Sequence, residues 1–356
     1  MAEIEVLSGV GDKGPACLRL THQGRVWLLD CGHGPEASSP FDPAWLEGAD
    51  AVFITHDHVD HIGGAAHAIG AGLPIYTTAI TARSLPPGAE VREIPVGGQI
   101  EIEGVRLTTG RNGHALGGVW FHFDLGGGLF YSGDWSEESH WFGFDEPPAA
   151  ETALIDASYH LDDVTQDRRK ADLNALLRWL PGTVLLPVPP SGRAGELALH
   201  LMDQGDVRLD DTCRDFVAQA LAAGPAAGIA DSAGAIRPLL DKPFDPAARF
   251  LICDNPNADG GMAWTLVKAA RDAGRLGQDF HVVFTGHMTA HARAICAHPG
   301  GHFTRWNVHP PLRDQLGLVR RLGAKRYAPL FCTLPEEYLV VDRPDANVFF
   351  HEKITL

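Results

Sequence analysis

The chain has 356 residues, 45% of them hydrophobic and 21% charged, with 45 acidic side chains against 29 basic ones and a formal net charge of -16. That length buries a sizeable core and holds two domains, or one domain with a large insertion; the composition excludes a disordered chain, and the negative charge is a poor match to a long polyanion. Six cysteines (Cys17, Cys31, Cys213, Cys253, Cys296 and Cys332) lack any Cys-x-x-Cys spacing, which excludes a disulfide framework or zinc ribbon. The N-terminal Met1-Ala2-Glu3-Ile4-Glu5-Val6 has neither region of a signal peptide, and no apolar run approaches membrane-spanning length, so a cytoplasmic protein is expected.

Taken in order, the first residues alternate apolar and polar and turn at Gly9-Val10-Gly11, and Cys17-Leu18-Arg19-Leu20 and Val26-Trp27-Leu28-Leu29 continue as strands of a meander. Asp30 ends the last of these beside Cys31-Gly32, equally suited to capping the turn and to orienting a ligating histidine from behind. Ala51-Val52-Phe53-Ile54 reads as a buried strand, followed at once by Thr55-His56-Asp57-His58-Val59-Asp60-His61 and then by a helix predicted over 65–71. Residues 56–61 hold three imidazoles and two carboxylates on a strand-to-helix turn, where side chains converge. That donor set suits a borderline divalent cation, zinc above all, and without paired cysteines it is not a closed structural site. Strands at 74–77, 99–102 and 105–108 lead to Asn112-Gly113-His114-Ala115-Leu116-Gly117-Gly118, where glycines let His114 approach a metal. A hairpin turning at Gly126-Gly127-Gly128 then delivers Ser132-Gly133-Asp134, whose carboxylate is placed to bridge two cations about 3.5–4 Å apart. His122, inside that hairpin, reads as structural.

Asp30, the His56 to His61 motif, His114 and Asp134, in this order, resemble the metallo-β-lactamase superfamily. The Asn112 to Gly118 stretch followed by Tyr131-Ser132-Gly133-Asp134 is similar to its β-CASP branch of RNA-processing and DNA-repair nucleases. Leu154-Ile155-Asp156-Ala157-Ser158-Tyr159 resembles that branch's acidic first motif, Leu186 to Leu197 its proline-rich strand and Gly-Arg-x-x-Glu helix start, and Phe284-Thr285-Gly286 the strand end near the close of its cap. The resemblance implies an α/β protein, an αββα metallo-β-lactamase sandwich with an inserted α/β β-CASP-like cap. Residues 1–158 would form the first part of the sandwich, 159–302 the cap and 303–356 the completion. Helical spacing at Leu173, Leu176, Leu177 and Leu180, and at Phe216, Ala220 and Leu221, agrees with a helical cap, and Asp210-Asp211 are suited to start a helix.

The resemblance also implies a zinc-dependent hydrolase using a metal-activated water, with two zinc ions or, alternatively, manganese. His56, His58 and His114 would hold one cation, Asp60 and His61 the second, and Asp134 would bridge them. Asp60 and His309 are the candidate catalytic residues, His309 as proton donor to the leaving oxygen, with Asp30 and Asp156 as supporting carboxylates. Two stretches depart from the family. Its Ser-x-His-x-Asp pattern reads Asn307-Val308-His309-Pro310-Pro311 here, which keeps the histidine and loses the aspartate that would control its tautomer. Its His-Gly after a strand reads Pro329-Leu330-Phe331-Cys332-Thr333, and Cys332 is the candidate to replace that histidine on the second metal, against the alternative of a small apolar filler. His287 and His291 share a helix face but lack the glutamate of a zinc helix, and read as cleft lining or surface.

The expected activity is a phosphodiesterase or nuclease, exo- or endoribonuclease-like. A hydrolase of a small ester, thioester, lactam or nucleotide is one alternative, and a non-catalytic scaffold derived from a nuclease another. Nucleic acid suits the motifs and not the net charge, although Arg168, Arg169, Lys170 and Arg193 could form a local basic lining; no membrane partner is expected.

Overall fold

A computed structural model describes residues 2–34, 40–341, 346–350 and 353–356 of the protein. The run Ala51-Val52-Phe53-Ile54 has no polar face because both of its sides are covered. Ala51 and Phe53 point into an apolar layer between two sheets, while Val52 and Ile54 point outward beneath Ile62, Ala65 and Ala68. Strands buried on both faces read as continuous apolar runs.

The first sheet orders seven strands as Ile354–Thr355, Ala2–Ser8, Cys17–His22, Arg25–Leu29, Ala51–Phe53, Ile75–Thr77 and Val91–Glu93. The second orders seven as Asn347–Val348, Arg326–Leu330, Thr152–Asp156, Leu129–Tyr131, Val119–Phe123, Val105–Arg111 and Gly98–Ile102. Their inner faces meet through Ile4, Leu20 and Phe53 on one side and Phe121, Phe123 and Tyr131 on the other. Phe53 meets Phe121 and Phe123 edge to face, with ring centroids 6.2 and 5.6 Å apart. The helix Leu312–Leu322 lays Leu316, Val319 and Leu322 on the outer face of the second sheet, against Phe130, Ala153 and Ile155. These layers make the αββα sandwich that the sequence implied.

A third sheet, parallel throughout, orders Val207–Leu209, Phe250–Asp254, Thr183–Val188, Phe280–Phe284 and Gly301–Phe303. Helices Gln166–Trp179, Arg193–Leu201 and Asp211–Ala223 cover one face through Leu173, Leu197 and Val217; Gly261–Asp272 and Ala290–Cys296 cover the other through Val267 and Ile295. Asp210 caps the third of these helices by accepting from Cys213 N. The two parts of the molecule join where Leu116, Trp141 and Phe142 enter the same apolar cluster as Val184 and Leu197. Gly195 permits this contact, since a Cβ there would fall 2.4 Å from the Trp141 ring.

The polar motif is more helical than its sequence suggests. A turn of helix spans Val59–Ile62 with His58 at its N-cap, and the predicted 65–71 helix follows separately at Ala65–Gly70. Gly64, at the break, lies so close to the Phe41 ring and the Cys31 carbonyl oxygen that a Cβ would meet them at 2.6 and 2.7 Å. Among the described residues no helix is long and apolar enough to cross a membrane.

Truncating the layer between the sheets, Phe121→Ala, is expected to lower stability by about 3–5 kcal/mol in urea denaturation; a loss under about 1 kcal/mol would contradict close packing there.

Candidate metal centre

The functional side chains lie at the carboxyl ends of strands from both sandwich sheets, where α/β sheets commonly open to ligands. His56 follows Ala51–Phe53, and Asp60 and His61 lie on the helical turn Val59–Ile62. His114 follows Val105–Arg111, Asp134 follows Leu129–Tyr131, and Asp156 ends Thr152–Asp156. Gly113, at φ +69°, lets the His114 loop press against the loop that carries Asp134: a Cβ would sit 1.9 Å from the Ser136 carbonyl oxygen.

His56, His58, His114 and Asp134 each offer one donor atom within 4.8 Å of the others. His114 Nε2 is 3.0 Å from His58 Nδ1 and 3.5 Å from Asp134 Oδ2, and His56 Nε2 is 3.8 Å from that oxygen. Ligands about 2.0–2.2 Å from a tetrahedral zinc lie about 3.3–3.6 Å apart, so the four atoms have the spacing of a ligand set. His56 Nε2, like His61 Nε2, is buried without a hydrogen-bond partner and is free to face positive charge.

Three of the rings are also held from behind. Thr55 Oγ1 lies 3.0 Å from His56 Nδ1, His114 Nδ1 donates to the Val308 carbonyl at 2.6 Å, and His61 Nδ1 donates to Asp30 at 2.7 Å. Burial pushes the His56 and His114 imidazoles well below their usual range, which leaves them neutral and able to ligate. Burial also opposes ionisation of Asp134, yet His61, His309 and His114 together hold its carboxyl well below the usual carboxylate range.

Two further donor groups share Asp134. Asp60 and His61 form one, with His61 Nε2 3.2 Å from Asp134 Oδ1; Asp156 and His309 form the other. His309 Nδ1 donates to Asp156 at 2.8 Å. The aspartate missing two residues after His309 therefore has a substitute from a distant strand, and the expectation of a poorly controlled tautomer is corrected.

Cys332 stands apart from these groups, which corrects its candidacy as a ligand. Phe331, at φ +62°, reverses the chain after the strand Arg326–Leu330. Its ring faces His61, centroids 5.2 Å apart, and Cys332 turns instead into the apolar layer beneath the helix Leu312–Leu322. Burial pushes the Cys332 thiol up to about 12, and it donates weakly to the Pro329 carbonyl at 3.8 Å. A protonated thiol in that setting is an apolar filler.

A cleft of about 360 Å³ opens over the donors, and Tyr159, Arg193, His287 and Arg305 line it as well. The Arg193 guanidinium lies against Gly286, where a Cβ would meet Nη1 at 2.2 Å, and its buried Nε has no hydrogen-bond partner. Arg305 lies over the Tyr159 ring at 4.8 Å. Of the basic residues considered as a lining, Arg193 alone is among these; Arg168, Arg169 and Lys170 pair with Asp172, Asp162 and Asp167 on and beside their helix. His287 lines the cleft, whereas His291 packs edge-on against Trp264.

Sequence reasoning passed over Tyr131, whose hydroxyl donates to Asp30 at 2.5 Å, and Lys13, whose Nζ lies 3.4 Å from His309 Nε2. Burial acts to lower the Lys13 pKa, but Asp134, Asp60 and Asp156 outweigh it and raise it. Tyr131 stands in the motif that ends at Asp134 but its partner lies 101 residues away, and Lys13 belongs to no local pattern that would have marked it.

Residues 25–179 match the Beta-lactamase superfamily domain. Transcription termination factor FttA of Cenarchaeum symbiosum is 30% identical over 260 residues, covering 57% of this chain and 40% of that protein. Cleavage and polyadenylation specificity factor 73 of Drosophila melanogaster is 26% identical over 246 residues, 56% of this chain and 36% of its own. Endoribonuclease YSH1 of Saccharomyces cerevisiae is 25% identical over 255 residues, 58% of this chain and 33% of its own. The match thus spans two fifths or less of these relatives. A solved protein of unknown function from Enterococcus faecalis V583 superposes with a TM-score of 0.65 at 14% identity, covering 100% of both chains, which shows a shared fold.

Removing the charge that holds Thr55 behind the His56 ring, Asp30→Asn, is expected to weaken zinc binding by about 10–100-fold in competition with a chromophoric chelator. Unchanged affinity in a folded variant would contradict the supporting role of Asp30.

Proposed function

We propose that the chain is a member of the metallo-β-lactamase superfamily, in its β-CASP branch, and a zinc-dependent phosphodiesterase acting on RNA. The observation that carries this reading is one cleft lined both by His58, His114 and Asp134 of the donor group and by two arginines, Arg193 and Arg305. The yeast relative is an endoribonuclease and the Drosophila relative a cleavage and polyadenylation factor, which supports RNA as the substrate class. We take the third sheet and its helices as the inserted cap, residues 159–302, because Arg193 and His287 reach the cleft from them. Six free thiols support a reducing, cytoplasmic setting.

Imidazole and carboxylate donors favour zinc, with manganese the alternative. When bound, the cation would supply Lewis-acid activation of a water near neutral pH. Arg193 and Arg305 offer forked donors to the non-bridging oxygens of a phosphodiester, a geometry that suits guanidinium. Asp60 lines the same cleft and is placed to orient the attacking water. His309, fixed through Nδ1 on Asp156, presents Nε2 to the cleft; the neutral ring accepts there, and once it has taken up a proton the imidazolium can pass it to the leaving oxygen.

The modest volume of the cleft favours a second reading, hydrolysis of a small ester or nucleotide. The two readings separate in one assay of end-labelled RNA and an aryl phosphodiester with added zinc. RNA cleavage is expected, and Asp134→Ala should lower it by about 10³-fold or more. Turnover of the aryl substrate alone would favour the second reading, and equal RNA cleavage by the variant would contradict the assigned centre.

A further inference from the structure

We propose that Lys13 stands in for the second cation: its ammonium supplies the positive charge facing Asp60, Asp134 and Asp156, and the centre binds one metal ion tightly, at His56, His58, His114 and Asp134. This rests on the hydrolase reading above and specifies the metal content of that site.

The loop that carries Lys13 connects the strands Ala2–Ser8 and Cys17–His22 and is anchored on both sides. On one side Phe331 N donates to the Gly9 carbonyl at 2.5 Å, and Val10 forms an isolated bridge with Cys332. On the other, Ala16 N donates to the Asp60 carbonyl at 2.8 Å. Between these anchors Lys13 lines the cleft beside Asp60 and Asp134, with Nζ 3.4 Å from His309 Nε2. Because His309 donates from Nδ1 to Asp156, its Nε2 is the acceptor and Lys13 the donor. Lys13, His309 and Asp156 therefore form one hydrogen-bonded chain along the edge of the site.

The group Asp60, His61 and Asp134 offers three donors to a second cation. Phe331, whose ring packs against His61, has no atom to add to them. The same two residues, Phe331 and Cys332, that supply no ligand also hold in place the loop that brings in the lysine. Charge bookkeeping agrees: one divalent cation and one ammonium balance the three carboxylates of Asp60, Asp134 and Asp156. A second divalent cation would share the cleft with the Lys13 ammonium, and like-charge repulsion in a poorly screened cleft is strong.

The test compares the wild-type chain with Lys13→Met, Lys13→Ala and Lys13→Arg. Each is loaded with zinc, dialysed against a chelator of intermediate strength and assayed for metal by mass spectrometry, with thermal denaturation to establish folding. Wild type and Lys13→Arg are expected to retain about one zinc per chain, and the two neutral variants to approach about two, with at least about tenfold tighter second binding. Two equally tight zinc ions in wild type, or neutral variants that fold and leave the second affinity unchanged, would overturn the role of Lys13 and leave the hydrolase reading standing. No retained zinc in any form would overturn both.

Discussion

The buried carboxylate of Asp30 is the joint on which the rest of the centre depends. It has no exposed surface, and it accepts from Thr55 N at 2.8 Å, from Thr55 Oγ1 at 2.9 Å, from His61 Nδ1 at 2.7 Å and from Tyr131 Oη at 2.5 Å. These donors come from the end of one strand, from the helical turn of the histidine motif and from the opposite sheet. An ionised carboxylate left alone in such a place costs several kcal/mol, and here its lone pairs are occupied. One condition thus fixes the approach of the two sheets, the start of the motif and the plane of the His61 ring. The backbone of Asp30 takes φ +58°, a conformation that aspartate tolerates better than most residues.

The charge of the molecule is divided in a way its net value conceals. The chain carries -16 overall, yet Lys13, Arg193 and Arg305 line the cleft. Such a surface offers a polyanion a short cationic patch and repulsion beyond it. The attraction of such a patch weakens as salt rises. The same division explains why the candidate basic run Arg168-Arg169-Lys170 contributes nothing at the cleft: its charges are taken up by Asp172, Asp162 and Asp167.

What the sequence made legible was set by distance along the chain. His56, His58, Asp60 and His61 fall within six residues after an apolar strand, and His114 and Asp134 each follow a strand marked by glycines, so their convergence could be read directly. The sandwich was legible through the family resemblance that these same motifs carry. The pairing of His309 with Asp156 spans 153 residues, and that of Tyr131 with Asp30 spans 101, so no local pattern carries either. The fate of Cys332 turned on a single backbone angle. Side chains on an extended strand alternate, so a reversal at Phe331 decides which of two neighbours meets the site, and the left-handed φ of a phenylalanine is not foreseeable from its type. Lys13 was hidden more thoroughly, because a lysine in a glycine-rich loop looks like any other solvated charge.

The most direct test is the zinc anomalous signal from a crystal of the protein grown with zinc. The account predicts a strong peak bound by His56 Nε2, His58 Nδ1, His114 Nε2 and Asp134 Oδ2 at about 2.0–2.2 Å. Full zinc occupancy elsewhere in the molecule, with no peak among these four atoms, would contradict it.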